Sequence, residues 1–157
     1  MTEQGGARAN KSGRVLESLV ENVIRGFAPD VLELPWRDWQ QTERAKFPAL
    51  IRHVPYTTLY GTQGKSEFVL YLQPERSIRI ECKWQSSSGS VDEKFPYMLA
   101  GLLRCEESEV IILVDGGGAK PQAVKWLRAE AERQRAIKPV AVMNMTEFTI
   151  WAQRGMQ

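Results

Sequence analysis

The chain has 157 residues, of which 43% are hydrophobic and 25% are charged, and its formal net charge is +2 at pH 7. An apolar fraction this close to the globular average excludes extensive disorder and is typical of one folded domain. No stretch approaches the about 18 consecutive apolar residues that a membrane-spanning helix needs, so we expect no membrane association. With two cysteines and one histidine, neither a disulfide framework nor a His- or Cys-rich metal centre is expected.

Residues 1–11 are polar and contain glycine, and they lack the apolar segment of a secretory signal. They are predicted to form a disordered tail, followed by a single domain over residues 12–157. This composition favours a cytoplasmic location. Any metal chemistry is expected to rest on carboxylates, the ligands that hard cations such as Mg²⁺ prefer.

The first predicted element is a helix from about Ser12 to Phe27, because seven apolar residues recur there at helical spacing and Pro29 closes the run. A segment rich in proline and tryptophan follows over residues 31–55. A short helix is predicted within it, around Thr42 to Ile51.

From residue 56 the pattern changes to that of strands, which are β-branched and aromatic and are separated by glycine and proline turns. Three strands are predicted: Tyr56 to Tyr60, Phe68 to Leu72 and Ser77 to Gln85. The remaining predicted elements are a helix from Val91 to Cys105 that becomes regular near Phe95, a buried strand from Val110 to Val114, a helix from Pro121 to Ile137, a strand from Val140 to Met143 and a helix from Thr146 to Gln153. This order predicts an α/β fold with a mixed β-sheet core flanked by helices.

The third predicted strand carries the most informative side chains, because successive residues of a strand point to opposite faces of the sheet. One face is apolar and belongs to the core: Ile78, Ile80, Cys82 and Trp84. The other face is polar: Arg79, Glu81, Lys83 and Gln85. If Gln73 pairs with Ser77 across the preceding turn, Glu67 lies opposite Lys83 and on the face of Glu81.

Two carboxylates that converge beside a lysine suit the hydrolysis of phosphodiesters. Carboxylate oxygens hold Mg²⁺, which neutralises phosphate charge and lowers the pKa of bound water. In such a site, the ammonium group of Lys83 can orient that water or stabilise charge in the transition state. The alternative is a solvated sheet face with cross-strand ion pairs, each worth about 0–1 kcal/mol.

The order of these elements resembles that of the PD-(D/E)XK nuclease superfamily. The matching residues are Glu17 in the first helix, Glu67 at the second strand and Glu81-Cys82-Lys83 on the third, and Gln85 extends the motif to the E-x-K-x-Q form seen in part of the superfamily. The resemblance spans residues 12–137 and implies the restriction-endonuclease-like order α-β-β-β-α-β. The chain departs from the pattern at Ser66-Glu67, where the superfamily usually has Asp, often after Pro.

By this resemblance, Glu67 and Glu81 would hold a Mg²⁺ ion, for which Mn²⁺ can substitute, and the backbone carbonyl of Cys82 would add a ligand. Lys83 would act near the attacking water. Glu17 would organise a ligand or a second metal ion, and Glu21, one turn later, is a rival for that role.

Three further side chains are candidates for the same site. Gln85 would position substrate or water, or simply hydrogen-bond a loop. Lys94, at the start of the second long helix, and Lys65 are candidates for contacts with DNA phosphates, and the alternative for each is a solvated surface lysine.

The resemblance implies a Mg²⁺-dependent endonuclease that hydrolyses DNA, with junction or branched DNA as candidate substrates, of the small Holliday-junction-resolvase or phage type. A homodimer is expected, because cutting two strands normally needs two active sites. Two alternatives stay open at this point: a catalytically inactive nucleic-acid-binding or assembly module of the same fold, and an RNA nuclease.

Overall fold

The structure, a computed structural model, describes residues 3–86 and 89–156, with side chains from Gly13 onward. Residues 1–2, 87–88 and 157 lie outside the described part. The first two positions of the predicted tail, two serines of the loop after the third predicted strand and the last residue of the predicted domain therefore fall outside it.

The centre of the fold is a six-stranded mixed sheet. Its strands are β1 (Leu32–Pro35), β2 (Ala49–Arg52), β5 (Phe68–Gln73), β6 (Arg76–Trp84), β7 (Glu109–Asp115) and β8 (Val140–Met143). They lie side by side in the order β1-β2-β5-β6-β7-β8. The pairs β2–β5 and β5–β6 are antiparallel, whereas β1–β2, β6–β7 and β7–β8 are parallel. A small second sheet pairs β3 (Pro55–Thr57) with β4 (Gln63–Lys65).

Helices cover both faces of the large sheet and confirm the predicted α/β architecture. They are α1 (Glu3–Phe27), the single turn α2 (Trp36–Trp39), α3 (Phe95–Leu102), α4 (Pro121–Arg133) and α5 (Met145–Gly155). Along β7, Ile111 and Leu113 pack in the core beneath α1 and α5, and Ile112 packs on the opposite side with α3 and α4. Burial on both faces explains why the sequence of β7 is a continuous apolar run.

Helix α1 begins at Glu3, well before the start at Ser12 that its apolar spacing predicts. Residues 3–11 are therefore helical, which corrects the prediction of a disordered tail over that part of the chain. Extending an existing helix adds one hydrogen bond for each residue that is fixed, and alanine, arginine, lysine and glutamine in this segment favour that state, whereas Gly5, Gly6 and Asn10 disfavour it. An amino-terminal extension of this kind carries no apolar periodicity, so the sequence pattern does not reveal it.

The helix predicted around Thr42 to Ile51 is wrong, because the residues from Ala49 onward form strand β2. Ala49, Leu50 and Ile51 are fully buried between β1 and β5. A short apolar run that is buried on both faces has no alternation to distinguish a strand from a helix. Its parallel partner β1 is too short to give a sequence signal.

The first predicted strand, Tyr56 to Tyr60, is shorter than expected and does not join the large sheet. Only Pro55–Thr57 is extended, and it pairs with β4 in a hairpin that is not hydrogen-bonded into the large sheet. Residues 58–62 form the connecting turn, in which Gly61 has a φ of +78° that suits glycine.

The elements after the third predicted strand follow the predictions closely. The regular helix begins at Phe95, after a 3₁₀ turn over Asp92–Lys94, because Pro96 is compatible only with the first turn of a helix. Strand β8 has the predicted bounds. Helix α5 begins after Asn144, whose side chain accepts a hydrogen bond from the backbone N–H of Glu147 at 2.8 Å.

Candidate active site

Strand β6 carries Glu81 and Lys83 on one face and the core residues Ile78 and Ile80 on the other, as the alternation predicts. Ile78 and Ile80 are fully buried against α1 and α5. The opposite face is covered by α3 and by the β3–β4 hairpin, so that Glu81 is only 6% exposed. The motif strand therefore holds its polar residues at the base of a covered site rather than on an open sheet surface.

The register between β5 and β6 brings Glu67 beside Glu81, not beside Lys83. Phe68 pairs with Ile80, and the next position towards the amino end of β5 is Glu67, level with Glu81. The expected pairing of Gln73 with Ser77 is wrong, because Gln73 pairs with Arg76 across a tighter turn and a bulge between Tyr71 and Gln73 shifts the register by one further residue. The shift amounts to two residues, and a shift by an even number leaves each side chain on its predicted face.

The backbone before Glu67 is fixed by Ser66, at the position where the superfamily often has proline. Ser66 is fully buried, and both its N–H and its hydroxyl donate to the carbonyl oxygen of Val54, at 3.0 and 3.1 Å. The N–H of His53 also donates to the carbonyl oxygen of Glu67, at 3.4 Å. Hydrogen bonds thus replace the rigidity that a proline ring would supply.

The carboxyl groups of Glu67, which is half-buried, and Glu81, which is buried, form an electrostatically unfavourable pair. Burial raises the pKa of Glu81 well above its ordinary value, and the charge of Glu67 and a hydrogen bond with that carboxyl group raise it further. Oε2 of Glu67 and Oε1 of Glu81 have no hydrogen-bond partner among the described residues. Two adjacent acidic groups with unpartnered oxygens are costly to bury unless a proton or a cation joins them.

Lys83 lies on the same face of β6, closer to solvent. Its Nζ is 3.9 Å from Oε2 of Glu81, and its side chain is 32% exposed. The ammonium group lowers the pKa of Glu81, although burial and the charge of Glu67 are larger effects. Lys83 therefore presents a positive charge between the carboxyl pair and the open cleft.

Glu17, on α1, approaches the pair from the other side of the sheet. Burial raises the pKa of Glu17, and the neighbouring charge of Glu67 raises it further. The rival Glu21 is instead bound by two arginines, with Arg25 Nη2 at 3.0 Å and Arg52 Nη1 at 3.8 Å. Of the two glutamates, Glu17 is the one whose charge is coupled to the site.

The three glutamates are not gathered as tightly as the sequence predicts. In the described part of the chain, no group of three or more histidine, cysteine, aspartate or glutamate side chains is close enough to hold a metal ion. The close pair is Glu67 and Glu81, while the charge of Glu67 is near enough to raise the pKa of Glu17.

The Cys82 side chain packs in the core on the face of Ile80, and burial raises the pKa of its thiol well above the ordinary value. A thiol in that state is a poor nucleophile, in agreement with its predicted place in the core. The part assigned to the backbone carbonyl of Cys82 stays a prediction.

Gln85 supports the turn that follows β7. Its Nε2 donates to the carbonyl oxygen of Gly118 at 3.2 Å, and its backbone carbonyl accepts from Gly118 N–H at 2.6 Å. A Cβ atom on Gly116 would lie 2.5 Å from the carbonyl oxygen of Gln85, so only glycine fits this close approach. The geometry favours the loop-bonding role of Gln85 among the alternatives that the sequence leaves open.

The two candidate phosphate-binding lysines differ in position. Lys94 is exposed and lines the cleft above Glu81 and Lys83. Lys65 is exposed on β4, opposite Pro55, and is not among the described residues that line this cleft.

The cleft has a volume of about 350 Å³ and lies between the face of β6, the β3–β4 hairpin and α3. Its wall is mainly apolar: Tyr56, Leu59, Phe95, Tyr97, Met98 and Leu102. The sequence does not reveal this wall, because it joins a hairpin and a helix that are far apart along the chain. The only sequence signal is the density of aromatic residues in the hairpin.

In the described residues, no helix combines the length and the apolar character that crossing a bilayer requires. A comparison with curated proteins gave no match. A family model described as the PD-(D/E)XK nuclease superfamily domain matches residues 8–156. The match covers nearly the whole chain, including the two glutamates, the lysine and the cleft described above. The chain therefore belongs to the PD-(D/E)XK nuclease superfamily.

Proposed function

We propose that the chain is an endonuclease that hydrolyses DNA phosphodiester bonds with the help of a divalent cation, Mg²⁺ or Mn²⁺. The observation that supports this most directly is the close pair of Glu67 and Glu81 beside Lys83 at the base of a cleft, in which each glutamate has a buried oxygen without a partner among the described residues. The superfamily supports the nuclease reaction in general. The choice of DNA and the dependence on metal are the parts that the proposal adds.

The donor set fits a hard divalent cation. Carboxylate oxygens are the preferred ligands of Mg²⁺, and Glu67 and Glu81 each have a buried oxygen without a partner in the described part of the chain. In the proposal these two residues hold the ion, the Cys82 carbonyl adds a ligand, and Glu17 orients a ligand from the side of α1. The ion would supply positive charge to offset the phosphate and would make a bound water more acidic.

The protein residues contribute orientation and charge. Lys83 lies where its ammonium group can donate to the attacking water or to a phosphate oxygen that gains negative charge in the transition state. Lys94 lies at the rim of the cleft and supplies a second cationic contact for the DNA backbone. Gln85 holds the end of β6 through its bonds to the turn after β7.

A second candidate, a binding module of the same fold without hydrolysis, is favoured by one observation. The described acidic residues form no set of three close enough for a metal ion. A homodimer, with one site for each DNA strand, belongs to the enzyme proposal and stays a prediction.

The test is a cleavage assay with the purified chain on supercoiled plasmid, four-way junctions and RNA, in Mg²⁺, Mn²⁺ or EDTA. We expect cation-dependent cutting of DNA that falls by about 100- to 1,000-fold in Glu81→Gln and Lys83→Ala. Glu132→Gln and Lys125→Ala, both exposed on α4, are the matched controls and should cut like the wild type.

Binding of DNA without any cutting would replace the enzyme proposal with the binding module, and cutting of RNA alone would make the chain an RNA nuclease. Cutting that survives in both site variants would show that the activity does not arise at Glu81 and Lys83.

A further inference from the structure

Two exposed tyrosines stand together beside the cleft. The ring centres of Tyr60 and Tyr97 are 5.3 Å apart, with an angle of 34° between the rings. Tyr60 is 82% exposed and Tyr97 is 44% exposed. They come from the turn of the β3–β4 hairpin and from α3, the two elements that form the cleft wall.

The turn that carries Tyr60 is well ordered by its own hydrogen bonds. The N–H of Thr58 donates to the Thr62 carbonyl at 2.8 Å, and the two threonine hydroxyls are 2.7 Å apart. The N–H of Gly61 donates to the Thr58 carbonyl at 3.0 Å. An aromatic residue carried by a closed turn is partly preorganised to contact a ligand, because little backbone freedom of the loop is lost on binding.

The cleft beside these rings combines an apolar wall with charged groups at its base and rim. Leu59, Phe95 and Met98 line the wall, whereas Lys83 and Lys94 carry positive charge. A ligand that matches both parts has a flat apolar portion and an anionic portion close to it. A nucleotide has this chemistry, since its base is a stacking surface and its phosphate is an anion.

We infer that the cleft accepts the base of an unpaired DNA nucleotide next to the phosphate that Glu81 and Lys83 address. The inference rests on the proposed function, whose substrate it narrows to DNA with single-stranded, frayed or branched segments. A base in a continuous duplex is stacked and paired and cannot enter a cleft unless it is first turned out of the helix. The volume of about 350 Å³ is near the lower end of small-molecule pockets, which suits one nucleotide.

In this arrangement, Tyr97 and Tyr60 form a platform at the cleft mouth on which the unpaired base or its neighbour stacks. The phosphate on one side of that nucleotide then lies towards Lys83, and the backbone follows towards Lys94. Both tyrosines act through their ring faces, so phenylalanine should replace them without loss.

The test measures binding rather than cutting. Fluorescence anisotropy would follow a labelled forked DNA with unpaired arms and a blunt duplex of the same length, both in EDTA, with a gel to confirm that the DNA stays intact. We expect the wild type to bind the fork more tightly. Tyr60→Ala/Tyr97→Ala should weaken fork binding by about 5- to 150-fold, the range for one stacked base, and leave duplex binding unchanged.

Three variants separate stacking from other effects. Tyr60→Phe/Tyr97→Phe should bind the fork like the wild type. Trp126→Ala removes an aromatic residue on α4 that is also partly exposed, and it should change neither affinity. Gly101→Leu keeps both tyrosines but fills the cleft, because a Cβ atom at Gly101 points towards Leu59 at 4.0 Å, and it should weaken fork binding alone.

Equal affinity of the wild type for fork and duplex, or an unchanged fork affinity in both the alanine and the Gly101→Leu variants, would overturn the inference. Either result would leave the nuclease proposal intact if cutting persists. Conversely, a preference for the fork without any cutting in Mg²⁺ would support the base-binding cleft and overturn the nuclease proposal. If a fork with RNA arms is bound still more tightly than the DNA fork, the cleft accepts an unpaired base but its ligand is RNA, and the assignment to DNA is overturned.

Discussion

The guanidinium carbon of Arg79 lies 4.4 Å from the centre of the Tyr56 ring, so the hairpin residue covers a charge carried by β6. The other partner of Arg79 is Glu107, whose Oε1 accepts from Nη2 at 3.2 Å. Both charged side chains are almost completely buried. The ring of Tyr56 also contacts Gly64, where any Cβ atom would lie 2.6 Å from the ring. This cation–π stack fixes the hairpin above the strand that carries Glu81.

The buried ion pair gives the first prediction. Glu107→Gln should lower the free energy of unfolding by about 3–5 kcal/mol, because it leaves Arg79 charged and without its ionic partner. Glu132→Gln is the matched control, since Glu132 pairs with Arg135 at the surface and such pairs contribute about 0–1 kcal/mol. Urea unfolding followed by circular dichroism measures both values. If both variants lose the same free energy of unfolding, the burial of the pair formed by Arg79 and Glu107 does not increase its contribution to stability.

The raised pKa of Glu81 gives a prediction for stability against pH in the absence of divalent cations. The folded protein holds a proton on Glu81 at pH values where the unfolded chain, with an ordinary pKa of 4.5, has lost it. Stability should therefore fall as the pH rises from about 4.5 through the pKa of the folded state. Glu81→Gln removes this penalty, so in EDTA its Tm should exceed that of the wild type at pH 8.

The difference in Tm between Glu81→Gln and the wild type should shrink as the pH is lowered towards 4, where Glu81 is protonated in both states. Thermal unfolding at a series of pH values measures it, with Glu132→Gln as the control for the loss of an exposed carboxylate. A wild type that is more stable than Glu81→Gln at pH 8 in EDTA would contradict the assigned cause of the shift.

Divalent cations should offset the loss of stability that the charged form of Glu81 causes at high pH. A cation that binds only the folded protein stabilises it by about 2.7 kcal/mol at a concentration 100-fold above its Kd. Mn²⁺ or Mg²⁺ should therefore raise the Tm of the wild type at pH 8. The rise should be lost in Glu67→Gln and Glu81→Gln and only reduced in Glu17→Gln, which acts from outside the close pair. An equal rise in all four proteins would place cation binding elsewhere.

The turn after β7 gives a prediction that compares two neighbouring glycines. Gly116 has a φ of +101°, and a Cβ atom there would lie 2.5 Å from the Gln85 carbonyl oxygen. Gly117 has a φ of +75° with no atom within 4 Å of such a Cβ. Gly117→Ala should therefore cost only the backbone strain, about 1 kcal/mol, whereas Gly116→Ala should cost clearly more.

Gly116→Ala should also lower nuclease activity, because it displaces Gln85 at the end of the strand that carries Lys83. Chemical denaturation and the plasmid assay measure the two effects. If both alanine variants lose the same stability, the contact with Gln85 does not constrain the turn.

The parts of the site that one strand encodes could be predicted from the sequence. Alternation along β6 separates Glu81 and Lys83 from Ile78 and Ile80, because the side-chain period is fixed by backbone geometry. The pairing of Glu67 with Glu81 could not be predicted, since it depends both on the turn that pairs Gln73 with Arg76 and on the bulge after Tyr71, and a bulge has no reliable sequence signature.

The elements that depend on contacts between residues far apart in the chain could not be predicted from the sequence either. Strand β2 is stabilised by pairing with β1 and β5, whose residues give it a context that its own short apolar run lacks. The proximity of Tyr60 and Tyr97 likewise arises only when the hairpin folds over α3. The cleft could not be predicted, because the strand pattern of Tyr56 to Tyr60 does not indicate that this segment lies outside the main sheet.

The segment between β2 and β5 leaves the large sheet and returns to it at one place. Arg52 and Phe68 are paired in adjacent strands, and the two hydrogen bonds from Ser66 to Val54 close the neck of the excursion. We therefore expect that the tip of the hairpin, residues 58–62, can be exchanged without moving Glu67 or β6. If Tyr60 and its neighbours contact the ligand as we infer, such exchanges would alter ligand selectivity while leaving the residues of the candidate active site in place.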